Sequence, residues 1–386
     1  MFFKERNCYL KDYNLSLKEK IKRFNFRYLF LICTVVFIGI GTLYSAGNGN
    51  WTPWADKQFA RFLLSLSVLF FVAFINLRTW MKYAYWIYAL GVAALIGVEL
   101  FGSVNMGAQR WLNLGIMNVQ PSEVMKIALI LALARYFHSA SLSDIQSVQY
   151  IIPPMLLMGL PVALIMKQPD LGTALMLVFA TGAIFFVVGV QLWKFLAVIL
   201  SVGCSIPILW TFLHDYQKQR VLTFLNPEND PYGAGYNIIQ SKITLGSGGL
   251  FGKGFMESTQ GRLSFLPEKQ TDFIFTVLSE EFGFLGSSAL IVLYLIIIVY
   301  GFYISYQSNN FFGKVLAIGL TVNFALYVFI NIGMVSGMLP VVGVPLPLIS
   351  YGGTAMLTLF AGFGLIESVY INREMVIGRR GSIEDE

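Results

Sequence analysis

Long apolar runs recur along most of the 386-residue chain, and they limit its possible folds more than any other feature. About 20 apolar residues cross the hydrocarbon core of a bilayer as a helix, and a backbone there must satisfy its hydrogen bonds internally. With 56% hydrophobic and 12% charged residues, the composition lies far outside the usual range of soluble domains. The sequence therefore predicts an all-α polytopic membrane protein with about ten transmembrane helices.

The predicted helices follow the apolar runs and are separated by polar or proline-containing turns. The uncharged stretch from Val315 to Ile366 is too long for one crossing, and three nearby prolines mark its interruption. These helices form one membrane domain, residues 28–372, between an N-terminal segment at 1–27 and a C-terminal tail at 373–386. The predicted spans are 28–46, 59–76, 83–101, 121–138, 151–167, 171–188, 193–212, 274–303, 312–336 and 350–371.

The distribution of basic residues predicts the orientation of the chain. Eight lysines and arginines precede the first span, and Arg373, Arg379 and Arg380 follow the last, so the positive-inside rule places both termini in the cytoplasm. The first apolar run is too long for a cleavable signal peptide. A long loop at about 213–273, between helices seven and eight, then lies on the outer face. The positive-inside rule loses force for loops of about 60 residues or more, so the basic residues within this loop do not overturn the assignment.

The composition also argues against several classes of function. The net charge of +6 is not arranged as a basic stripe with interleaved aromatic residues, so we expect no nucleic-acid partner. Cys8, Cys33 and Cys204 are scattered, and the two histidines lack ligand spacing, which argues against a disulfide framework and a zinc site. The glycine-rich segment 246–254 lacks the spacing of a phosphate-binding loop and predicts a flexible outer loop.

Residues 262–273 concentrate ionisable groups at the end of the long outer loop. Asp272 is followed at once by Phe273, Ile274 and Phe275, so its side chain should lie where a helix meets the outer polar layer. The carboxylate can cap that helix, or it can serve as acid or base on a lipid-borne substrate, and the two roles are compatible. Burial raises the pKa of such a carboxyl and a neighbouring cation lowers it, so its protonation state stays open.

Three further sites carry ionisable groups beside apolar helices. Glu123 and Lys126 stand three residues apart on one helix, so they can form a structural ion pair or line a cavity near Asp272. Arg110, next to a tryptophan, is either an interfacial anchor or a ligand of pyrophosphate. Asp170 can cap the sixth helix or help to hold the mouth of a cavity.

Five motifs, in this order along the chain, resemble the SEDS family, the shape, elongation, division and sporulation proteins of bacterial cell-wall synthesis. The resemblance runs from about residue 28 to residue 372. Residues Gly254–Gln260 and Phe265–Glu268 resemble the elongation subgroup of the family more than its division subgroup. The five motifs are Gly107–Leu112, Gln120–Glu123 with Lys126, Gln168–Thr173, Leu266–Phe275 and Pro347–Gly353.

The resemblance implies a peptidoglycan glycosyltransferase that polymerises lipid II on the outer face of the cytoplasmic membrane. Asp272 matches the family's catalytic aspartate and would act as general base on the GlcNAc 4-hydroxyl of the acceptor. That oxygen attacks the anomeric carbon of MurNAc in the lipid-linked donor, and undecaprenyl pyrophosphate leaves. A departing pyrophosphate needs positive charge beside it, from basic residues or from a divalent cation such as Mg²⁺ or Mn²⁺. The expected substrate-binding residues are Arg110, Glu123, Lys126, Lys269, Asp170 and Ser350.

The resemblance also implies partners. These are lipid II, the lipid-linked glycan, membrane lipid and a class B penicillin-binding protein, a transpeptidase with one membrane helix. The residues alone leave two other functions open: a flippase for lipid-linked precursors, since many helices around buried ions also describe a transporter, and a non-catalytic scaffold for a cell-wall synthase. Transport or scaffolding should survive the substitution Asp272→Asn, whereas catalysis by a base should not.

Overall fold

The computed structural model describes residues 15–105, 108–113, 115, 118–212, 215–230, 233–258 and 268–378. Within these residues the chain is mainly helical. Three short strands, β1 (Ser103–Asn105), β2 (Ala108–Asn113) and β3 (Asn118–Val119), form an antiparallel sheet in the order β1-β2-β3. The helices are α1 (Leu17–Arg23), α2 (Phe26–Ala46), α3 (Ala55–Phe74), α4 (Leu77–Phe101), α5 (Pro121–His138), α6 (Leu142–Gln146), α7 (Val148–Lys167), α8 (Leu171–Val188), α9 (Leu192–Phe212), α10 (Asp215–Leu225), α11 (Ala234–Ser247), α12 (Ile274–Gln307), α13 (Phe311–Val335) and α14 (Gly353–Ile371).

A long helix occupies every one of the ten predicted spans. Among the described residues, eight of them are long and apolar enough to cross a membrane: α2, α3, α4, α7, α8, α12, α13 and α14. The other two are α5, which carries Glu123, Lys126 and Arg135, and α9, whose apolar part is Leu192–Pro207. The all-α polytopic fold is thus confirmed, while the number of crossings stays a prediction.

The predicted long loop at 213–273 contains regular structure. Helices α10 and α11 lie within it, and α11 packs onto the end of the helix bundle. The hydroxyl of Ser241 on α11 is buried and donates to the carbonyl oxygen of Val335, the last residue of α13, at 2.9 Å. Parts of the loop, including the motif residues 265–267 and Arg262, lie outside the described residues.

Helix α12 is interrupted near its start. Gly283 has φ 66° and ψ −161°, a conformation that glycine adopts far more readily than other residues. The break divides the helix into a short buried piece, 274–282, and a longer piece from residue 284 that is exposed on many positions. The longer piece therefore carries the exposed positions of this helix, and the short piece packs mostly within the protein.

The turn at 248–254 fills the break in α12. The backbone N–H of Lys253 donates to the carbonyl oxygen of Glu280 at 3.0 Å, and the N–H of Phe284 donates to the carbonyl oxygen of Gly249 at 2.9 Å. These bonds satisfy backbone groups that the break would otherwise leave unpaired. The prediction that this glycine-rich segment is a flexible loop is therefore wrong, because it is bonded on both sides of Gly283.

The described segments nearest the two termini contact each other at one end of the bundle. Helix α1 begins at a capping box formed by Ser16 and Glu19. Arg23, at its other end, forms an ion pair of 3.0 Å with Glu374, which follows α14. Within the described residues, α1 and the segment that follows α14 therefore lie at the same end of the bundle. The cytoplasmic placement of both termini stays a prediction.

Helices α5, α13 and α14 are the most completely buried. Charged and strongly polar side chains on such helices are costly unless they pair inside the protein or face a polar cavity. The buried ones found there are Glu123, Lys126, His138, Asn323, Tyr327, Asn331 and Glu367.

Candidate functional site

Asp272 lies in the turn at 268–273 that immediately precedes α12. The helix begins at Ile274, and its N-cap residue is Phe273, whose side chain makes no capping bond. Asp272 therefore does not cap this helix, and the first of the two roles considered for it is wrong. Among the described residues, no hydrogen-bond donor or cation contacts its carboxylate directly, so the group is available for other chemistry.

Three successive carbonyl oxygens attach this turn to residues that surround it. One donor is a backbone N–H before α14, one is the hydroxyl of Ser350, and one is a side-chain amide on α13. Because three consecutive peptide groups are bonded, the backbone at Asp272 is closely positioned. The bonds run from Tyr351 N to Gln270 O at 2.9 Å, from Ser350 Oγ to Thr271 O at 2.6 Å, and from Asn331 Nδ2 to Asp272 O at 2.9 Å.

The environment of Asp272 raises its proton affinity. The side chain is half-buried, and burial raises the pKa of Asp272 to about 6. The carboxylate of Glu268 adds to this shift, the guanidinium of Arg110 lowers the pKa, and the carboxylate of Asp170 raises it slightly further. A carboxyl group with a pKa close to neutral pH suits general acid–base chemistry.

Ser350 lies beside this turn, as predicted for a site residue, but its hydroxyl is used by the protein. It donates to the Thr271 carbonyl oxygen and accepts from the N–H of Leu346 at 2.8 Å. The carbonyl oxygen of Ser350 in turn accepts from the side-chain amide of Gln58 at 3.0 Å. In this structure Ser350 positions the Asp272 turn.

Arg110 lies on β2 and reaches the turn that precedes α8. Its Nε donates to the carbonyl oxygen of Gln168 at 3.2 Å, and an Nη donates to that of Pro169. These bonds leave further N–H donors of the half-buried guanidinium for a phosphate oxygen. Arg110 is thus close enough to Asp272 to affect its pKa and still has hydrogen-bonding capacity.

Asp170 caps α8, one of its two predicted roles. Its carboxylate accepts from the N–H of Thr173 at 3.2 Å and from the hydroxyl of the same residue at 2.9 Å. It also accepts from the side-chain amide of Gln120 at 3.2 Å, which ties the start of α8 to the start of α5. The carboxylate is buried, and the capping role positions it near Asp272.

Glu123 and Lys126 form an ion pair of 2.8 Å inside the bundle, next to Tyr327 of α13. The phenol of Tyr327 donates to Glu123 and accepts from Lys126, and the ammonium also lies 4.1 Å from the centre of the tyrosine ring. Lys126 is 2% exposed. In this structure the pair is internal and hydrogen-bonded, and its lysine points inward.

Lys269 lies in the same turn as Asp272 and is buried. Burial lowers the pKa of its ammonium from the ordinary value. The structure therefore groups Asp272, Lys269 and Ser350 in and around one turn, with Arg110 and Asp170 near it. The predicted residues Glu123 and Lys126 are paired with Tyr327 instead.

Sequence reasoning missed two residues of this region, Tyr327 and Asn331. Both lie on α13, four residues apart, and so on one face of the helix. A polar pair at this spacing inside an apolar span is a signal of an internal contact that could have identified them. Tyr327 contacts the ion pair, and Asn331 contacts the Asp272 turn.

The described residues contain no group of three or more His, Cys, Asp or Glu side chains placed to hold a metal ion. Mg²⁺ is commonly held by one or two carboxylates together with substrate phosphates, so this finding does not test the Mg²⁺ or Mn²⁺ considered above. We derive no catalytic step through a metal.

Two apolar grooves lie between helices of the bundle. One, of about 280 Å³, lies between α8 and α13 and is closed at one end by residues 339–342. The other, of about 290 Å³, lies among α3, α4, α5 and α14. The exposed lining of both is almost entirely apolar, which suits hydrocarbon chains.

Comparison with known proteins gives a consistent result. The family model FTSW_RODA_SPOVE, described as cell cycle protein, matches residues 22–375. The peptidoglycan glycosyltransferase MrdB of Escherichia coli (strain K12) is 42% identical over 358 residues, which cover 90% of this chain and 93% of that protein.

Two solved structures are similar over nearly the whole chain. A chain of a peptidoglycan synthase complex, described as coordinating polymerization and crosslinking, superposes with a TM-score of 0.80 at 28% identity, covering 91% of this chain and 98% of that one. The rod shape determining protein RodA of Thermus thermophilus gives a TM-score of 0.69 at 27% identity, with 91% and 98% covered.

Proposed function

The chain belongs to the FtsW/RodA/SpoVE family of cell cycle proteins, and from this membership we infer that it is a peptidoglycan glycosyltransferase of the RodA and MrdB type. It polymerises lipid II into glycan strands during cell elongation and so contributes to control of rod shape. It is a multi-pass protein of the bacterial inner membrane, and we assign the Asp272 end of the bundle to the outer face.

The observation that carries the catalytic proposal is the state of Asp272. Its backbone is bonded at three successive carbonyl oxygens, its carboxylate receives no hydrogen bond from the described residues, and burial raises its pKa to about 6. At neutral pH the group is mostly ionised yet retains a high proton affinity. A base so placed contributes roughly 10² to 10⁴ to a rate.

In the proposed reaction, the 4-hydroxyl of the acceptor GlcNAc gives its proton to Asp272 while its oxygen attacks the anomeric carbon of the donor MurNAc. The bond from that carbon to the pyrophosphate breaks, and the pyrophosphate leaves with the electron pair. One displacement inverts the α linkage to β. Because pyrophosphate is a good leaving group, the reaction needs positive charge beside it more than a second carboxylic acid.

Arg110 is the residue best placed to supply that charge. Its guanidinium keeps N–H donors after bonding Gln168 and Pro169, and paired N–H donors match phosphate oxygens. Lys269 is a second candidate within the Asp272 turn. Lys126 is a weaker one, because its ammonium is already bonded to Glu123 and Tyr327.

The apolar grooves support a lipid-linked substrate. Val342 lines the groove between α8 and α13, and Oδ2 of Asp272 lies 3.6 Å from where a Cβ on the next residue, Gly343, would stand. A polyprenyl chain in this groove would hold its pyrophosphate near the carboxylate. We assign this groove to the polyprenyl chain of one of the two lipid-linked substrates that polymerisation joins.

The partner proposed for this chain is a class B penicillin-binding protein. The similar chain from the peptidoglycan synthase complex supports such a pairing. Isolation of the protein from native membranes without any transpeptidase would count against it.

Polymerisation of labelled lipid II by the purified protein and its partner tests the function. Wild type should form glycan ladders and Asp272→Asn should form none, while Glu228→Gln, which changes an exposed carboxylate in the long loop, should behave as wild type. Equal ladders from Asp272→Asn would remove Asp272 from the role of base. No ladder from any of the three would favour lipid transport or scaffolding.

A further inference from the structure

Asn331 on α13 contacts two separate segments of the site with one side-chain amide. It is fully buried. Its Nδ2 donates to the carbonyl oxygen of Asp272 at 2.9 Å and to that of Val344 at 2.7 Å. Both N–H bonds of the amide are thus used to join the turn before α12 to the segment before α14.

The remaining polar atom of this side chain argues against a purely stabilising role. Oδ1 of Asn331 is buried and has no hydrogen-bond partner among the described residues. A buried acceptor without a partner is destabilising, and a leucine of similar volume would avoid it. The two N–H donors therefore account for the presence of an amide here.

Val344 lies next to a wall of the catalytic site. Gly343, directly before it, has φ 73° and approaches the Asp272 carboxylate, as described above. A shift of Val344 would move this wall, and a shift of the Asp272 carbonyl would move the carboxylate itself. Asn331 thus controls the position of the carboxylate and of the surface that it faces.

Helix α13, which carries Asn331, is bonded to α5 one turn before Asn331. Tyr327, four residues earlier on the same face, is hydrogen-bonded to both members of the buried ion pair on α5. These contacts restrain α13 against sliding relative to α5. The amide is therefore presented to the Asp272 turn from a restrained helix.

We propose that Asn331 is a positioning residue for the glycosyl transfer, which sets the place of the Asp272 carboxylate by bonding its backbone to the segment at Val344. The proposal rests on the proposed function of Asp272 as base. Asn331 itself touches no substrate in this account. A displacement of about 1 Å in a catalytic group can cost roughly a hundredfold in rate, so a single amide can matter this much.

Loss of the amide should also change the titration of Asp272. The groups that face this carboxyl are Glu268 in its own turn, Arg110 on β2 and Asp170 at the start of α8, and burial is the largest cause of its raised pKa. A loosened turn admits water, so the carboxyl group is less buried and its pKa is raised less. The pKa of Asp272 then falls from about 6 towards the ordinary carboxyl value, and the acid limb of the pH–rate profile moves to lower pH.

The test compares Asn331→Leu with Asn323→Leu in the full-length protein with its partner. Asn323 is a matched control, because it is the same residue type on the same helix, is buried, and also has an Oδ1 without a partner among the described residues. For Asn331→Leu we expect kcat to fall by about tenfold to a hundredfold. The KM for lipid II should stay within about twofold, and the acid limb should shift downward. Asn323→Leu should change none of these.

Asn331→Ala gives a second variant if the leucine does not fold, because alanine removes the amide without adding bulk to the packed site. Unchanged kcat and acid limb in a folded Asn331 variant would overturn the inference, and so would an equal loss in Asn323→Leu. Asp272→Asn, measured in parallel, separates this from the proposed function. An active Asp272→Asn refutes the base itself, whereas an inactive Asp272→Asn beside a normal Asn331→Leu refutes only the positioning role.

Discussion

Two carboxylates near α13 occupy opposite environments. Glu123 receives a lysine ammonium and a tyrosine hydroxyl, both inside the bundle. Asp272, reached from the next turn of the same helix, receives no donor on its carboxylate from the described residues, and only its backbone is bonded. The charge of Glu123 is balanced by Lys126. The Asp272 carboxylate is positioned through its backbone and is available to react.

In the proposed mechanism, one helix thus serves stability and catalysis through neighbouring side chains. Tyr327 and Asn331 are four residues apart, yet one completes a closed ion-pair network and the other bonds only main-chain atoms. A buried pair is costly to break, because the remaining charge has no partner. A carboxylate held by its backbone can gain or lose a proton without dismantling the site.

The largest effect is expected from breaking the ion pair on one side. Lys126→Met leaves Glu123 buried without its cation and should lower the free energy of unfolding by about 3–5 kcal/mol. The double variant Glu123→Gln with Lys126→Met should recover most of that loss. Thermal unfolding in detergent measures both. A stable but inactive Lys126→Met would indicate that this lysine acts on the substrate. The Glu123 and Asp272 regions would then not differ in role.

A smaller effect is expected at the pyrophosphate. Arg110→Lys keeps the charge but loses the planar set of donors that bonds Gln168, Pro169 and the proposed phosphate. We expect kcat/KM for lipid II polymerisation to fall by about tenfold. Arg78→Lys is the matched control, because Arg78 lies at the start of α4 and Arg110 lies on β2, beyond the end of that helix. An equal fall in both variants would argue that Arg110 has no specific role in binding.

The smallest effect is expected from removing one bond of the Asp272 turn. Ser350→Ala loses the hydroxyl that donates to Thr271 and accepts from Leu346, which should cost about 1 kcal/mol of stability. We expect kcat to fall by about two- to tenfold, because two of the three carbonyl bonds remain. Ser336→Ala, which removes a hydroxyl bond to Gly333 at the end of α13, serves as comparison. A larger effect from Ser336→Ala would show that the turn is not held as described.

Much of the fold could be predicted because its signals are local. The helices at 121–138 and 171–188 were predicted with the bounds that α5 and α8 have, since a proline opens the first and Asp170 caps the second. Apolar length defined the bounds of the other spans to within six residues, and the largest difference is at the start of α4. These signals lie within one or two turns of the helix end that they define.

The site was predicted less completely because its contacts join distant segments. Capping of α12 was one of two roles considered for Asp272, but bonds to Asn331, Ser350 and Tyr351 place its turn outside the helix. The break at Gly283 is satisfied by a turn about 30 residues earlier in the chain. Periodicity reports the faces of a helix and gives no information on which remote backbone groups those faces will meet.

The most direct test of this account is the pH dependence of lipid II polymerisation by the wild-type protein with its partner. Asp272 must be ionised to accept a proton, and its pKa of about 6 in the substrate-free protein places the acid limb of kcat/KM there, with activity lost as the pH falls through that value. We expect the pH–rate profile of the wild type to have an acid limb with a midpoint near pH 6. Any residual activity of Asp272→Asn should lack this limb. A rate that is flat from pH 5 to pH 8, or an unchanged limb in Asp272→Asn, would contradict it.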